Sequence, residues 1–169
     1  MINEVNGLPA HVLLVHVVVV LIPLAALLTV LAAVWPAARR RLGIITPLAA
    51  LAALVIVPIT TNAGEWLEAR LPSSPLISEH IGLGVQMIWF AIGLFVASLL
   101  AWGVPTLIVR RTKQAPAPWV GVVVAVVAVV LAGAAVFQVF RVGESGSRAV
   151  WTGNFCPVPY NSEGVCPAS

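Results

Sequence analysis

Four long apolar stretches dominate the pattern of hydrophobic and polar positions along the chain. They run over Leu8–Trp35, Gly43–Ala63, Ile81–Val104 and Trp119–Phe140. Each is long enough to cross the hydrocarbon layer of a membrane as a helix, which takes about 20 apolar residues. The pattern therefore predicts four transmembrane helices over about residues 9–35, 43–63, 75–104 and 119–140, followed by a short tail over 141–169.

Cap signals refine the starts of two of these helices. Pro9 suits a first helical turn, with Gly7 or Leu8 as the cap. Ser74 followed by Pro75 is a typical helix start, so the third helix is expected to begin at Pro75.

The charged residues sort by side of the membrane. Six of the nine Lys and Arg residues lie in two short loops, 39–41 and 110–113, which contain no Asp or Glu. Short loops rich in Lys and Arg stay in the cytoplasm, so both termini, the tail and the central loop are expected outside. The predicted fold class is an all-α integral membrane protein, a four-helix bundle in a single domain.

The composition agrees with lipid as the solvent. The chain is 60% hydrophobic and 9% charged, whereas a soluble domain carries about a quarter charged residues. A net charge of +3 favours nucleic acid as the partner of a soluble protein, but here the bases flank membrane spans. We therefore expect anionic lipid headgroups and no nucleic acid as partners. Because an acid and no base precedes the first span, that span is expected to be an uncleaved anchor.

The two cysteines lie in the C-terminal tail. Cys156 and Cys166 stand among Pro, Asn and Gly residues, which is loop composition. A disulfide persists outside the cytoplasm, and two thiols with no histidine nearby make a poor zinc site. The sequence favours an intrachain disulfide, with metal binding as the alternative.

Polar residues within the spans concentrate in the outer half. They are His11, His16, Thr60, Thr61, Asn62, His80, Gln86 and Gln138. Such groups are costly in lipid, so they are expected to be functional or paired. The inner half holds only hydroxyls such as Thr29, Thr46 and Ser98, which are expected to bond to their own helix.

His16 and His80 are the candidate cofactor ligands. Counted from Pro9, His16 lies about 10 Å into the first helix, and counted from Pro75, His80 lies about 7.5 Å into the third. The two imidazoles are therefore expected at similar depth. His11 lies about 140° from His16 around the helix and cannot share a ligand with it.

Three interpretations of the histidines stay open. The first is a b-type haem held by His16 and His80 between two helices. The second is a metal or pH-sensing site at the outer face. Its candidate ligands are His11, Glu65, Glu68 and Glu79. In the third, the histidines donate to Asn62, Gln138 or backbone carbonyls and only hold the helices together.

Two polar segments border the spans. The block TTNAGEWLEARL, residues 60–71, either caps the histidine site or is a helix leaving the membrane with Trp66 in the headgroups. The block RVGESGSRAVW, residues 141–151, is either a tight anion-binding turn through Gly143 and Gly146 or a frayed helix end. The sequence contains no phosphate-binding loop, nucleophile elbow, intramembrane carboxylate pair or zincin motif, so no enzymatic activity is predicted.

These segments resemble a known family. GLPAHVLLVHVVVVLIPLA is similar to the opening of the bacterial predicted-membrane-protein family called domain of unknown function twenty-two thirty-one, and His11, His16 and Pro23 match that element. TTNAGEWLEARL with SEHIGLG resembles its second element and third-helix histidine, here His80. RVGESGSRAVW resembles its Gly-x-Ser-Gly element, in which Glu144 stands where some members carry histidine.

The resemblance implies a multi-pass protein of the bacterial cytoplasmic membrane with no firmly assigned activity. Some relatives are joined to Rieske-type iron–sulfur domains, which implies redox partners. The leading specific hypothesis is electron transfer through one haem b on His16 and His80, between membrane quinol and an outer partner protein. The alternatives are a non-enzymatic structural or accessory subunit and an outer-face metal or pH sensor.

Overall fold

The computed structural model describes residues 3–156, 158 and 166, which form a helical bundle preceded by a small hairpin. The elements are β1 Glu4–Val5, β2 Leu8–Pro9, α1 Ala10–Val34, α2 Pro36–Leu42, α3 Ile45–Glu68, α4 Pro75–Thr112 and α5 Pro118–Trp151. Helices α1, α3, α4 and α5 are long and apolar enough to span a membrane. The prediction of four spanning helices is confirmed.

The four long helices form an up-and-down bundle. Each packs against its two neighbours in the order α1, α3, α4, α5, and α1 also packs against α4 across the bundle. The starts of α1 and α4 and the ends of α3 and α5 therefore share one end, which we call the histidine end. Helix α2 and the loop between α4 and α5 lie at the opposite, arginine end.

Small residues line the centre of the bundle and let the helices approach closely. The main buried cluster consists of Ile22, Ala25, Ala26, Ala50, Ala53, Val57, Met87, Ala91, Leu94, Ala132, Ala135 and Val139. Lipid tails are as apolar as these side chains, so close packing contributes more to helix association than the hydrophobic effect does.

The buried hydroxyls behave as predicted with one exception. Thr29 donates to the Ala25 carbonyl at 2.7 Å and Ser98 to the Phe95 carbonyl at 2.7 Å, both within their own helices. The prediction is wrong for Thr46, whose Oγ1 is buried without a hydrogen-bond partner among the described residues.

The predicted start of α4 is confirmed. Pro75 opens the helix, and the Ser74 hydroxyl accepts a hydrogen bond from the Ile77 amide at 3.2 Å. This bond satisfies one of the free amides of the first turn.

The helix ends extend beyond the predicted spans. Helix α4 continues past Val104 to Thr112, and α5 continues past Phe140 to Trp151. Hydropathy marks where lipid contact ends, whereas a helix continues as long as its backbone stays paired. Residues 141–151 are therefore helical, and the tight anion-binding turn proposed there is wrong.

A two-residue hairpin loop precedes α1. Strands β1 and β2 pair through Glu4–Pro9 and Val5–Leu8, and the loop residues Asn6 and Gly7 have φ of 50° and 76°. Positive φ at both positions is the signature of a type I′ turn, for which Asn-Gly is the preferred pair. The helix cap expected at Gly7 or Leu8 is thus wrong, because the chain is still in the hairpin there and α1 follows Pro9.

Candidate functional site: an imidazole pair at the histidine end

His11 joins α1 to α3 through a backbone carbonyl. Its Nδ1 lies 3.0 Å from the Thr60 carbonyl oxygen. A carbonyl oxygen only accepts, so Nδ1 carries the hydrogen and donates it. Gly64 stands one helical turn beyond Thr60, and a Cβ there would lie 2.9 Å from His11 Nδ1. The missing side chain gives the imidazole access to the carbonyl.

His80 joins α4 to α5 in the same way. Its Nδ1 lies 3.1 Å from the Val142 carbonyl oxygen and 3.1 Å from Ser145 Oγ. Ser145 Oγ in turn donates to the Val142 carbonyl at 2.9 Å, so the hydroxyl oxygen is free to accept from the imidazole. Gly146 stands one turn beyond Val142, and a Cβ there would lie 3.0 Å from His80 Cε1.

The two anchors follow one pattern. In each, a histidine near the start of a helix donates to a carbonyl on the next long helix, and the residue four positions after that carbonyl is a glycine. The hairpin α1–α3 and the hairpin α4–α5 thus present their imidazoles in equivalent ways. Apart from this shared spacing, the sequences of the two halves do not match.

The two imidazoles meet across the bundle. The ring centroids of His11 and His80 are 6.2 Å apart, with an interplanar angle of 78°. They lie where α1 and α4 pack against each other, so one site draws on all four long helices.

The Nε2 atoms of this pair are available. No hydrogen bond to either Nε2 occurs among the described residues. Among the described residues, Thr46 Oγ1 is the one side-chain polar atom that is both fully buried and without a partner. The two Nε2 atoms have no partner either, so they must keep some accessible surface. Because Nδ1 holds the hydrogen, each Nε2 has a free lone pair that can bind a proton or a metal ion.

Gln138 fastens the same end of the bundle. It is 1% exposed and its amide donates to the Leu83 carbonyl of α4 at 2.9 Å. Arg141 lies within 3.5 Å of the Gln138 side-chain oxygen. The histidines do bond to backbone carbonyls, as the helix-fastening interpretation requires. Gln138 adds to that role by donating to a third backbone carbonyl, that of Leu83.

His16 lies on a different face of α1. Its side chain is exposed, and its Nδ1 bonds the Val12 carbonyl of its own helix at 2.7 Å. The structure brings His80 together with His11, not with His16, which lies about 7.5 Å further along the helix. The expectation of equal depth for His16 and His80 is therefore wrong.

The glutamates do not join the imidazoles. Glu65, Glu68 and Glu79 are exposed. Within the described residues no group of three or more His, Cys, Asp or Glu side chains is arranged to hold a metal ion. Glu65 and Glu68 line an open groove of about 330 Å³ between α3 and α4, whose lining contains no histidine.

The distance from the imidazole pair to the tryptophans of the arginine end can be compared with the thickness of a bilayer. At a rise of about 1.5 Å per residue, Trp35 lies about 36 Å beyond His11 in the first helix. Trp102 lies about 33 Å beyond His80 along α4. Trp119 lies at the same, arginine end. Tryptophans favour the membrane interface, and the hydrocarbon layer is about 30 Å thick. This spacing is the one expected for an imidazole pair near the opposite interface.

The cysteines of the tail lie together. Cys156 and Cys166 are at disulfide distance, with Sγ atoms 2.07 Å apart. Neither thiol is free.

Sequence reasoning missed most partners of the imidazoles. It singled out His11 and His80 but assigned them to different sites, and it did not select Gly64, Val142 or Ser145. The available signal was the spacing: Thr60 and Gly64, and Val142 and Gly146, both stand four residues apart. A glycine at that position exposes a helix carbonyl.

Comparison with known proteins places the chain in a family. No curated protein and no solved structure matches it significantly. A family model described as predicted membrane protein (DUF2231) matches residues 7–155, which include all four long helices and both histidine anchors. The chain belongs to this family of predicted membrane proteins.

Proposed function

We propose that this protein binds one transition-metal ion between His11 and His80 at the extracytoplasmic face of the membrane. One observation carries the proposal. Both imidazoles donate Nδ1–H to helix carbonyls, so two fixed rings with free Nε2 lone pairs adjoin each other. Histidines that bind metals characteristically donate their other ring N–H in this way, which fixes the tautomer and the orientation of the ring.

The ring separation is compatible with a shared ion. A metal–nitrogen bond is about 2.0–2.1 Å and the ring centroid lies about 1.1 Å behind the nitrogen, so two imidazoles on one ion have centroids up to about 6.3 Å apart. The separation of 6.2 Å falls within this limit.

The proposed orientation follows from charge. The arginine end carries residues 39–41 and 110–113, with six Lys or Arg and no acidic residue. Such loops stay cytoplasmic, so the histidine end faces outward and takes up its ion from the aqueous phase. The protein then acts as a metal-binding membrane protein.

Haem ligation by His16 and His80, with electron transfer from quinol, is the second candidate. It is favoured by the bond from His16 Nδ1 to Val12, which leaves Nε2 of His16 without a partner among the described residues. It requires His80 to leave His11. The haem hypothesis is tested by a reduced-minus-oxidised spectrum of protein purified from cells supplied with haem. Sharp low-spin haem bands would support it, and a spectrum without such bands would contradict it.

Metal content is the direct test of the metal proposal. The full chain is purified in detergent and dialysed against Cu, Zn, Ni or Co salts, and the bound metal is counted per chain. We expect one ion in the unmodified protein and in His16→Ala, and none in His11→Ala or His80→Ala. If no metal binds, or if the His16 variant alone loses it, the proposal is wrong.

A further inference from the structure

We infer that the ion of this site is Cu(I), a soft monovalent cation held by two nitrogens in near-linear geometry. The inference rests on the proposed metal-binding function and narrows it to one class of ion. It follows from the number of ligands, the distance between the rings and the charge around them.

Two imidazoles are the donors that the described residues bring to this site. No third His, Cys, Asp or Glu in the described residues stands with the pair, and the two cysteines are closed on each other. Met87 lies about two turns beyond His80, buried in the apolar core. Zn(II) sites in proteins are four-coordinate with three or four protein ligands. Among imidazole-binding metals, Cu(I) forms stable complexes with two ligands.

The ring separation distinguishes the two geometries. Two imidazoles bound at a tetrahedral angle have centroids about 5.1 Å apart, and two bound in line have centroids about 6.3 Å apart. The His11–His80 separation of 6.2 Å exceeds the tetrahedral value and is close to the in-line value. At this separation the rings share an ion only with both Nε2 atoms turned toward the space between them. Both rings are held by carbonyls on different helices, so moving them closer would lengthen the bonds to Thr60 and Val142.

The surrounding charge also favours a monovalent ion. A divalent ion on two neutral ligands is costlier to place at the edge of the hydrocarbon layer than a monovalent ion, unless anionic ligands offset its charge. The described carboxylates of this end, Glu4, Glu65, Glu68, Glu79 and Glu144, are all exposed, and Glu144 lies 3.9 Å from Arg148. A monovalent ion on two neutral imidazoles has a smaller desolvation cost than a divalent ion on the same ligands.

Competition between metals tests the inference. The full chain in detergent is titrated anaerobically with Cu(I), kept reduced by ascorbate, against a coloured Cu(I) chelator, and separately with Zn(II) against a zinc chelator. We expect one Cu(I) per chain, with affinity falling at least about a hundredfold in His11→Ala and His80→Ala and unchanged in His16→Ala. Zn(II) should not compete for the site.

A second measurement needs no variant, since removing a histidine also removes a contact between helices. X-ray absorption of the Cu(I)-loaded unmodified protein should show two nitrogen neighbours in near-linear geometry. Tighter binding of Zn(II) than of Cu(I), or three or four ligands to copper, would overturn the inference and leave the metal-binding function standing. Binding of neither metal would overturn the inference, and the metal-binding function would fall with it if Ni(II) and Co(II) did not bind either. Full Cu(I) binding in the two histidine variants would show that copper binds elsewhere and would likewise overturn the inference.

Discussion

Gly146 lies directly against the imidazole of His80, so that a Cβ at position 146 would be 3.0 Å from Cε1 and 3.2 Å from Nδ1 of that ring. The bond from His80 to the Val142 carbonyl thus exists because position 146 has no side chain. Gly64 has the same relation to His11. Two glycines inside helices therefore determine where the imidazoles lie.

Gly146→Ala should displace His80. The new methyl group overlaps the ring, and overpacking of this kind costs about 1–3 kcal/mol. Thermal unfolding in detergent, followed by tryptophan fluorescence, measures the loss. Gly143→Ala is the matched control, because nothing lies within 4 Å of a Cβ there. Equal stability of the two variants would show that the glycine does not position the ring.

Gln138→Leu should weaken the contact between α4 and α5. It removes the buried bond to the Leu83 carbonyl, and hydrogen bonds between membrane helices contribute about 0.6 to 1.7 kcal/mol. The same unfolding assay measures it. Gln86→Leu serves as the control, since the exposed Gln86 side chain bonds to the Gly82 carbonyl of its own helix. A larger effect at position 86 would contradict this assignment.

The neutral histidines should all carry their hydrogen on Nδ1. His11, His80 and His16 each place Nδ1 against a carbonyl oxygen. Nitrogen-15 NMR of histidine-labelled protein at mildly alkaline pH reports the tautomer of each ring. A hydrogen on Nε2 of His11 or His80 would remove the free lone pair that metal binding requires.

Reporter fusions test the proposed orientation. Alkaline phosphatase is active only outside the cytoplasm, and green fluorescent protein fluoresces only when it folds inside. Fused after residue 169, the phosphatase should be active and the fluorescent protein dark. The same reporters fused after Lys113 should give the reverse result. The opposite pattern would place the imidazole pair on the cytoplasmic side.

The membrane-spanning helices could be predicted from the sequence because the hydropathy of a segment depends only on its own residues. The four spans, the start of α4 at Ser74-Pro75 and the pairing of the cysteines each depend on local signals. The hairpin before α1 also has a local signal, because Asn6-Gly7 is the preferred pair of a type I′ turn.

The imidazole pair could not be predicted in this way, because it depends on how far each helix is shifted along its neighbours. Counting from the helix starts placed His16 level with His80. Helix α1 begins close to the level of the pair, however, and α4 begins more than a turn before it, so that His11 meets His80. Side-chain packing sets this shift. The contact between α1 and α4 is a property of the assembled bundle.

Nitrogen-15 NMR during titration with Ag(I), a redox-stable substitute for Cu(I), is the most direct test of the central claim that His11 and His80 share one ion. At one equivalent of Ag(I), the Nε2 resonances of His11 and His80 should move together while that of His16 stays in place. A shift of His16 instead, or no shift of either member of the pair, would contradict the account.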